Sequence, residues 1–446
     1  QSFGLQDIVS KTPVDDTTLF RAGSTTKTFV ALAVMQLVNQ GKLSLDDKVI
    51  ELMPEVNIVN PWQDNAPVRV IHLLEHTAGF DDMHFRNAYN VNNEKISALD
   101  GVNRDSASIV VRWQPGTRHS YANPGYGILG HLIEKMSGQN YEDYVNQNIL
   151  QPLNMSESDT RYNASIATQL SNGYNNNVAV PYKSIYLRAA GSLHSTASEL
   201  ALLGQYLLSQ SNSATIANID AQTIHEMETV HSTLAAKAGL PYGYGLGIYH
   251  SNREGRLWLG HNGGVDGFVT SLSYSRELNV GYALMVNTTS GKFGPLIKSV
   301  VKHLSQKAPA LIDAEAKPIT APVNGYYRMT NDRNQIFAGV SFPLTAIKVE
   351  KADNTLIVSP LIGSATTLTH MGNNQFSEAN SNIATTIAID DKQFGQLILS
   401  DGQFFEKTNV IAAWAPLAIA VFILIVLALT ALYLPFWIVN MLRGKL

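Results

Sequence analysis

Ser24 and Lys27 stand three residues apart in Leu19-Phe20-Arg21-Ala22-Gly23-Ser24-Thr25-Thr26-Lys27-Thr28-Phe29, just ahead of apolar residues at Phe29, Ala31, Val34, Leu37 and Val38. This periodicity predicts a helix opening at Ser24 or Thr25 and ending at Gly41. Residues three apart share a helix face, so the Ser24 hydroxyl meets the Lys27 amine in the first turn. Unpaired backbone N–H groups at that end favour developing negative charge. A serine hydroxyl is a poor nucleophile until a neighbouring base or cation eases the loss of its proton, and Lys27 is such a neighbour. The pair is suited to nucleophilic catalysis. The same spacing recurs at Ser299-Val300-Val301-Lys302, in what reads as an ordinary amphipathic helix, so the spacing needs its context.

Two further groups supply that context. A Pro115-Gly116 turn leads to Tyr121-Ala122-Asn123, and Asn123-Pro124 starts a helix running to Lys135. Tyr144-Val145-Asn146 and Tyr174-Asn175-Asn176 share the Tyr-x-Asn pattern, but the first is mid-helix and the second lies in an asparagine-rich loop; both read as structural. In Trp258-Leu259-Gly260-His261-Asn262-Gly263-Gly264, consecutive glycines let another backbone approach, and a free N–H at Gly264 would face an oxyanion. The plainer reading of that stretch is a tight hairpin with a surface histidine. His72 and His76 have the spacing of a metal pair, but no third ligand accompanies them, so a capping or core role is expected and no metal or cofactor is assigned.

These groups fall within a first domain, residues 1–308. Helical patterns cover 25–40, 125–137 and 141–149. Tyr244–His250, Arg256–Leu259, Phe268–Tyr274 and Val280–Val286 read as a strand meander feeding an antiparallel sheet, closed by a helix over Gly294–Gln306. A proline-containing linker, 309–324, follows. Residues 325–408 alternate apolar and polar residues over Leu344–Glu350, Thr355–Ser359, Thr366–His370, Ile383–Ile389 and Gly395–Leu399, with no strong helix, and predict a small all-β sandwich or barrel. The chain begins at Gln1, in what reads as the tail of a strand, and N-terminal sequence is expected to be missing.

The 32 basic and 36 acidic residues of the 446-residue chain form no basic stripe, which argues against a nucleic-acid partner. With no cysteine, disulfides, thiol nucleophiles and thiolate metal sites are excluded. Residues 411–440 predict a membrane-spanning helix: no charged side chain occurs from Thr408 to Leu442, and Trp414, Tyr433 and Trp437 sit near the ends. Arg443 and Lys445, in the short tail 441–446, place the C-terminus in the cytoplasm and everything before Ile411 outside, in a single-pass arrangement.

Together, Ser24-Thr25-Thr26-Lys27, Tyr121-Ala122-Asn123 and His261-Asn262-Gly263 resemble the three motifs of the serine β-lactamase and penicillin-binding family, in its class C-like branch. Further segments are similar to the family's: Gly41-Lys42-Leu43-Ser44-Leu45-Asp46-Asp47, Leu73-Leu74-Glu75-His76-Thr77-Ala78-Gly79, Gln151-Pro152-Leu153-Asn154-Met155 and Ala190-Gly191-Ser192-Leu193-His194-Ser195-Thr196-Ala197. The resemblance covers about residues 4–305. It implies an α/β fold, an antiparallel sheet flanked by helices, joined to an α-helical domain. It also implies catalysis by Ser24, Lys27 and Tyr121, with Asn123, His261, Gly263 and Gly264 binding substrate or its oxyanion. The implied reaction passes through an acyl-enzyme on a small-molecule or peptide substrate; the general base is Lys27 or Tyr121. The departure is His261, where β-lactamases and transpeptidases typically carry lysine. A histidine with an ordinary pKa is mostly neutral at pH 7. That favours a peptide, amide or ester over a β-lactam or a D-Ala-D-Ala end, and it predicts a carboxylate preference that grows as pH falls. A true β-lactamase or carboxypeptidase, and a non-hydrolytic penicillin-binding sensor, are the alternatives.

Overall fold

The computed structural model describes residues 1–209, 215–311 and 316–444. Part of the expected linker, 312–315, and Lys445 of the expected tail lie outside the described residues. Two compact units emerge, one of residues 1–314 and 379–385, the other of 315–378 and 386–446.

In the first unit, the chain enters a 3₁₀ turn at Gly23–Thr25 and continues as helix α1, Thr26–Asn39. Every residue from Thr26 to Leu37 is buried. The apolar run therefore marks a helix enclosed on all sides rather than one with a single buried stripe. Helix α2, Asn123–Ser137, has Pro124 in its first turn and ends on Gly138, whose φ of 73° is the left-handed conformation glycine tolerates best. The predicted helix over 141–149 is α-helical only for Tyr141–Val145 and widens into a π turn over Asn146–Leu150. Helix α3, Ala197–Ser209, packs on the sheet.

That sheet has four antiparallel strands: β1 (Tyr249–Arg253), β2 (Arg256–Val265), β3 (Phe268–Ser275) and β4 (Val280–Val286), in the order β4-β3-β2-β1. Helix α4, Phe293–Ser305, follows and carries Ser299 on an exposed face, bonded to the Pro295 carbonyl. The meander was legible except at its start, where the strand begins at Tyr249 instead of Tyr244. Gly247 explains the shift. Its φ is 74°, a methyl group there would lie 2.6 Å from Ala31 Cβ, and its carbonyl accepts from Thr28 Oγ1 at 2.7 Å. The segment packs on α1 and pairs only through an isolated bridge between Tyr244 and Tyr249. β1 covers β2 only from Arg256 to Gly260, so the stretch from His261 to Val265 pairs with β3 alone.

The second unit is a closed barrel of eight antiparallel strands, sealed where Gly325–Met329 pairs with Gln403–Thr408. Its interior is filled by Tyr327, Val349, Leu356, Leu368, Phe376 and Ile398, together with Ile319 and Val323 from the proline-containing segment ahead of it. Eight strands enclose about the space that side chains fill. The sequence reading overlooked the strands Gly325–Met329, Gln375–Glu378 and Gln403–Thr408 and the short helix Gln335–Ser341. Helix Val410–Leu442 then extends for 33 residues; its most apolar window has a mean hydropathy of 2.9 and no buried residue, and by length and composition the helix can cross a membrane.

Candidate active site

Lys27 is fully buried, and its Nζ has three neighbours at hydrogen-bond distance. Two are obligate acceptors: the Ala190 carbonyl at 2.7 Å and Asn123 Oδ1 at 2.8 Å. The third is Ser24 Oγ at 3.1 Å. Two N–H groups are thus committed, and the amine also lies within reach of the serine oxygen. There an ammonium donates and a neutral amine accepts, so one contact serves proton movement in both directions. The Tyr121 ring lies under the same amine, 4.9 Å from Nζ to its centroid, and Tyr126 is beneath it at 5.4 Å. The sequence-predicted Ser24, Lys27, Tyr121 and Asn123 therefore converge.

The Asn123 amide is oriented from behind. Asp82 Oδ1 accepts its Nδ2 at 2.8 Å and its backbone N–H at 2.9 Å, which turns Oδ1 of Asn123 toward Lys27. Tyr121 is held by His76. The two rings lie 4.1 Å apart, and the Ala122 N–H donates to His76 Nδ1 at 3.2 Å. His76 has a φ of 56° and belongs to this wall of the site, fulfilling the core role expected of it. His72 caps its helix, accepting the Arg69 N–H at 3.1 Å.

The glycine pair brings two backbones together. A methyl group at Gly263 would collide with the Ala22 carbonyl and come 3.1 Å from Ser24 N; one at Gly23 would lie 2.8 Å from Gly264 N. Gly264 itself is exposed, and a methyl group there would meet nothing. The Ser24 and Gly264 backbones therefore lie side by side, with Gly264 open to solvent.

His261 differs from its expected character. It is 2 % exposed, not a surface side chain. Its Nδ1 faces the Asn262 carbonyl at 2.6 Å and must donate, so Nε2 accepts from Tyr244 Oη at 2.8 Å. Burial, with Lys27 nearby, pushes its pKa down to about 3. The expected titration near neutrality is thereby corrected: His261 is a neutral, doubly bonded ring throughout the physiological range. Asp82, His76 and Tyr244 were not identified as site residues from the sequence. The local signals were His76 within the segment Leu73–Gly79 and Asp81-Asp82 just beyond it.

A family model described as Beta-lactamase matches residues 1–303. The chain belongs to the beta-lactamase family. Its members are generally serine hydrolases, acting on peptide or β-lactam substrates. Among relatives, Protein flp of Staphylococcus aureus (strain MRSA252) is 24% identical over 307 residues, 68% of this chain and 59% of that protein. Penicillin-binding protein 4* of Bacillus subtilis (strain 168) is 27% identical over 297 residues, 61% of each chain. The chain thus spans about three fifths of the length of these curated relatives. The octameric penicillin-binding protein homologue from Pyrococcus abyssi shares the fold with a TM-score of 0.57 at 22% identity, over 91% of this chain and 92% of that one. SurE with D-Leu does so with a TM-score of 0.57 at 24% identity, over 91% of each chain.

Proposed function

We propose that this beta-lactamase family chain is a membrane-anchored serine hydrolase working through an acyl-enzyme on a peptide, amide or ester outside the cytoplasmic membrane. The observation that carries the reading is the buried Lys27 amine, 3.1 Å from Ser24 Oγ and 2.8 Å from Asn123 Oδ1. Ser24 Oγ attacks the carbonyl carbon, and its proton passes through Lys27 and Tyr121 to the leaving group. The N–H groups of Ser24 and Gly264 hold the oxyanion, each worth about 3–4 kcal/mol in comparable sites. Asn123 orients Lys27 and a substrate amide. Water then takes the acyl group from Ser24, with the same residues accepting its proton.

Neutral His261 supports the choice of substrate class. With both ring nitrogens committed, it offers no positive charge to a substrate carboxylate. A β-lactam or D-Ala-D-Ala end is thereby less suited to the site than an ester or amide. Helix Val410–Leu442 serves as the anchor, with Trp414 and Trp437 near its two ends at the interfaces and Arg443 on the cytoplasmic side. The test is turnover by the full chain in detergent against p-nitrophenyl esters, D-amino acid amides and nitrocefin. Sustained release from an ester or amide, faster than from nitrocefin, is expected. A single stoichiometric acyl burst without turnover would instead make the protein a sensor.

A further inference from the structure

Residues 335–344 form an apolar elbow, helix Gln335–Ser341 running into a 3₁₀ turn at Phe342–Leu344, without one charged side chain. Ile336 and Val340, four residues apart on the helix, form an apolar stripe, and Leu344 follows in the 3₁₀ turn. They are 67 %, 77 % and 59 % exposed, and Phe342 beside them is 44 % exposed. Contiguous open apolar surface of this kind marks an interaction site.

Arg328 fixes where that stripe sits. This residue lies on strand Gly325–Met329 and is itself buried. Its guanidinium donates to the Phe342 carbonyl at 2.7 Å, to the Ala413 carbonyl at 3.1 Å and to the Ala412 carbonyl, and it lies 4.1 Å from the Phe342 ring centroid. The bond to Ala412 has a local cause. Its helical partner would be the N–H of residue 416, which is proline and has none. One cation therefore ties the elbow to the first turn of helix Val410–Leu442. Those carbonyls lie in the opening turn of the apolar run, which begins at Val410 directly after Asn409, so the elbow is tied to the end of the helix where a span would begin. An apolar segment at that level lies in the headgroup and acyl boundary, where interfacial helices rest.

We propose that residues 335–344 are a membrane foot: Ile336, Val340 and Leu344 insert into the near leaflet of the lipid bilayer beside the spanning helix. The proposal rests on the reading of Val410–Leu442 as a membrane anchor. The foot gives the barrel a second point of contact with the lipid, so that the barrel does not pivot about one helix.

Because the chain has no cysteine, single reporters can be placed cleanly. Val340→Cys, Leu424→Cys and Lys392→Cys are each made in the full chain, labelled with an environment-sensitive fluorophore and reconstituted in phosphatidylcholine–phosphatidylglycerol vesicles. Lipids carrying nitroxides at shallow or deep positions then quench by depth. Shallow quenching at position 340, deep quenching at 424 and none at 392 is the expected result. If 424 is quenched while 340 behaves like 392, the foot is overturned and the anchor stands. If neither nitroxide quenches 424, the anchor reading fails and the foot with it.

Discussion

Asp82 Oδ1 accepts two hydrogen bonds from Asn123, one from its backbone N–H at 2.9 Å and one from its side-chain amide at 2.8 Å. The carboxylate thus decides which end of the amide meets Lys27. Asp82→Ala should lower kcat/KM on the order of 10- to 100-fold, the scale of a displaced catalytic group. Asp82→Asn keeps an acceptor in place and should recover part of that loss. Equal losses in both variants would show that charge, not orientation, is the contribution of Asp82.

Gly263 and Gly264 should respond oppositely to the same methyl group. Gly263→Ala drives Cβ into the Ala22 carbonyl, a backbone atom that cannot swing away, and should cost about 1–3 kcal/mol or more with loss of activity. Gly264→Ala meets open space and keeps its N–H, so stability within about 0.5 kcal/mol and retained acylation are expected. Thermal unfolding and active-site labelling of the two variants make the comparison. A Gly263→Ala protein as stable and active as the parent would mean that strand β2 does not close on the Ser24 turn.

His261 should not act as a pH sensor. Its pKa of about 3 keeps the ring neutral from pH 5.5 to 8.5, so the kcat/KM ratio for matched substrates with and without a carboxylate should be flat across that range. A ratio rising as pH falls would require a charged His261 and break the Tyr244 contact. His261→Lys places a second ammonium beside Lys27 in a buried site and should destabilise the protein rather than improve carboxylate binding.

Three buried histidines should make the first unit acid-labile. His72, His194 and His261 are each held down to about 3 by burial, against an unfolded value of about 6.5. The unfolded chain binds the extra protons, so this stability is present above about pH 6.5 and is lost as pH falls from there toward 3. Each contributes a slope of about 1.4 kcal/mol per pH unit within that window. Unfolding by denaturant at pH 7 and pH 5 should show the drop, and His194→Gln should reduce it. An unchanged slope in that variant would mean that His194 is not held neutral.

Much of the site was readable because its residues carry local signatures. Ser24 and Lys27 are linked by helix geometry alone, and Asn123 is marked by Pro124 in the first turn of α2. What escaped was whatever depended on chain closure. Asp82 reaches Asn123 across 41 positions, and His76 reaches Ala122 across 46, with no periodicity to announce either contact. His261 was found, but its character was not, since burial and the Tyr244 bond set it. In the second unit the alternation revealed most strands. Helix Gln335–Ser341 did not stand out, because its weak propensity is offset by Arg328, which holds the elbow that follows it.

The central claim is that Ser24 is the acylated nucleophile. The full chain is treated with a fluorophosphonate probe, and the modified peptide is located by mass spectrometry in the parent, in Ser24→Ala and in Ser299→Ala. The account predicts one adduct on Ser24 in the parent and in Ser299→Ala, and no adduct or turnover in Ser24→Ala despite an unchanged unfolding transition. Labelling that persists in Ser24→Ala, or activity that disappears in Ser299→Ala, would contradict it.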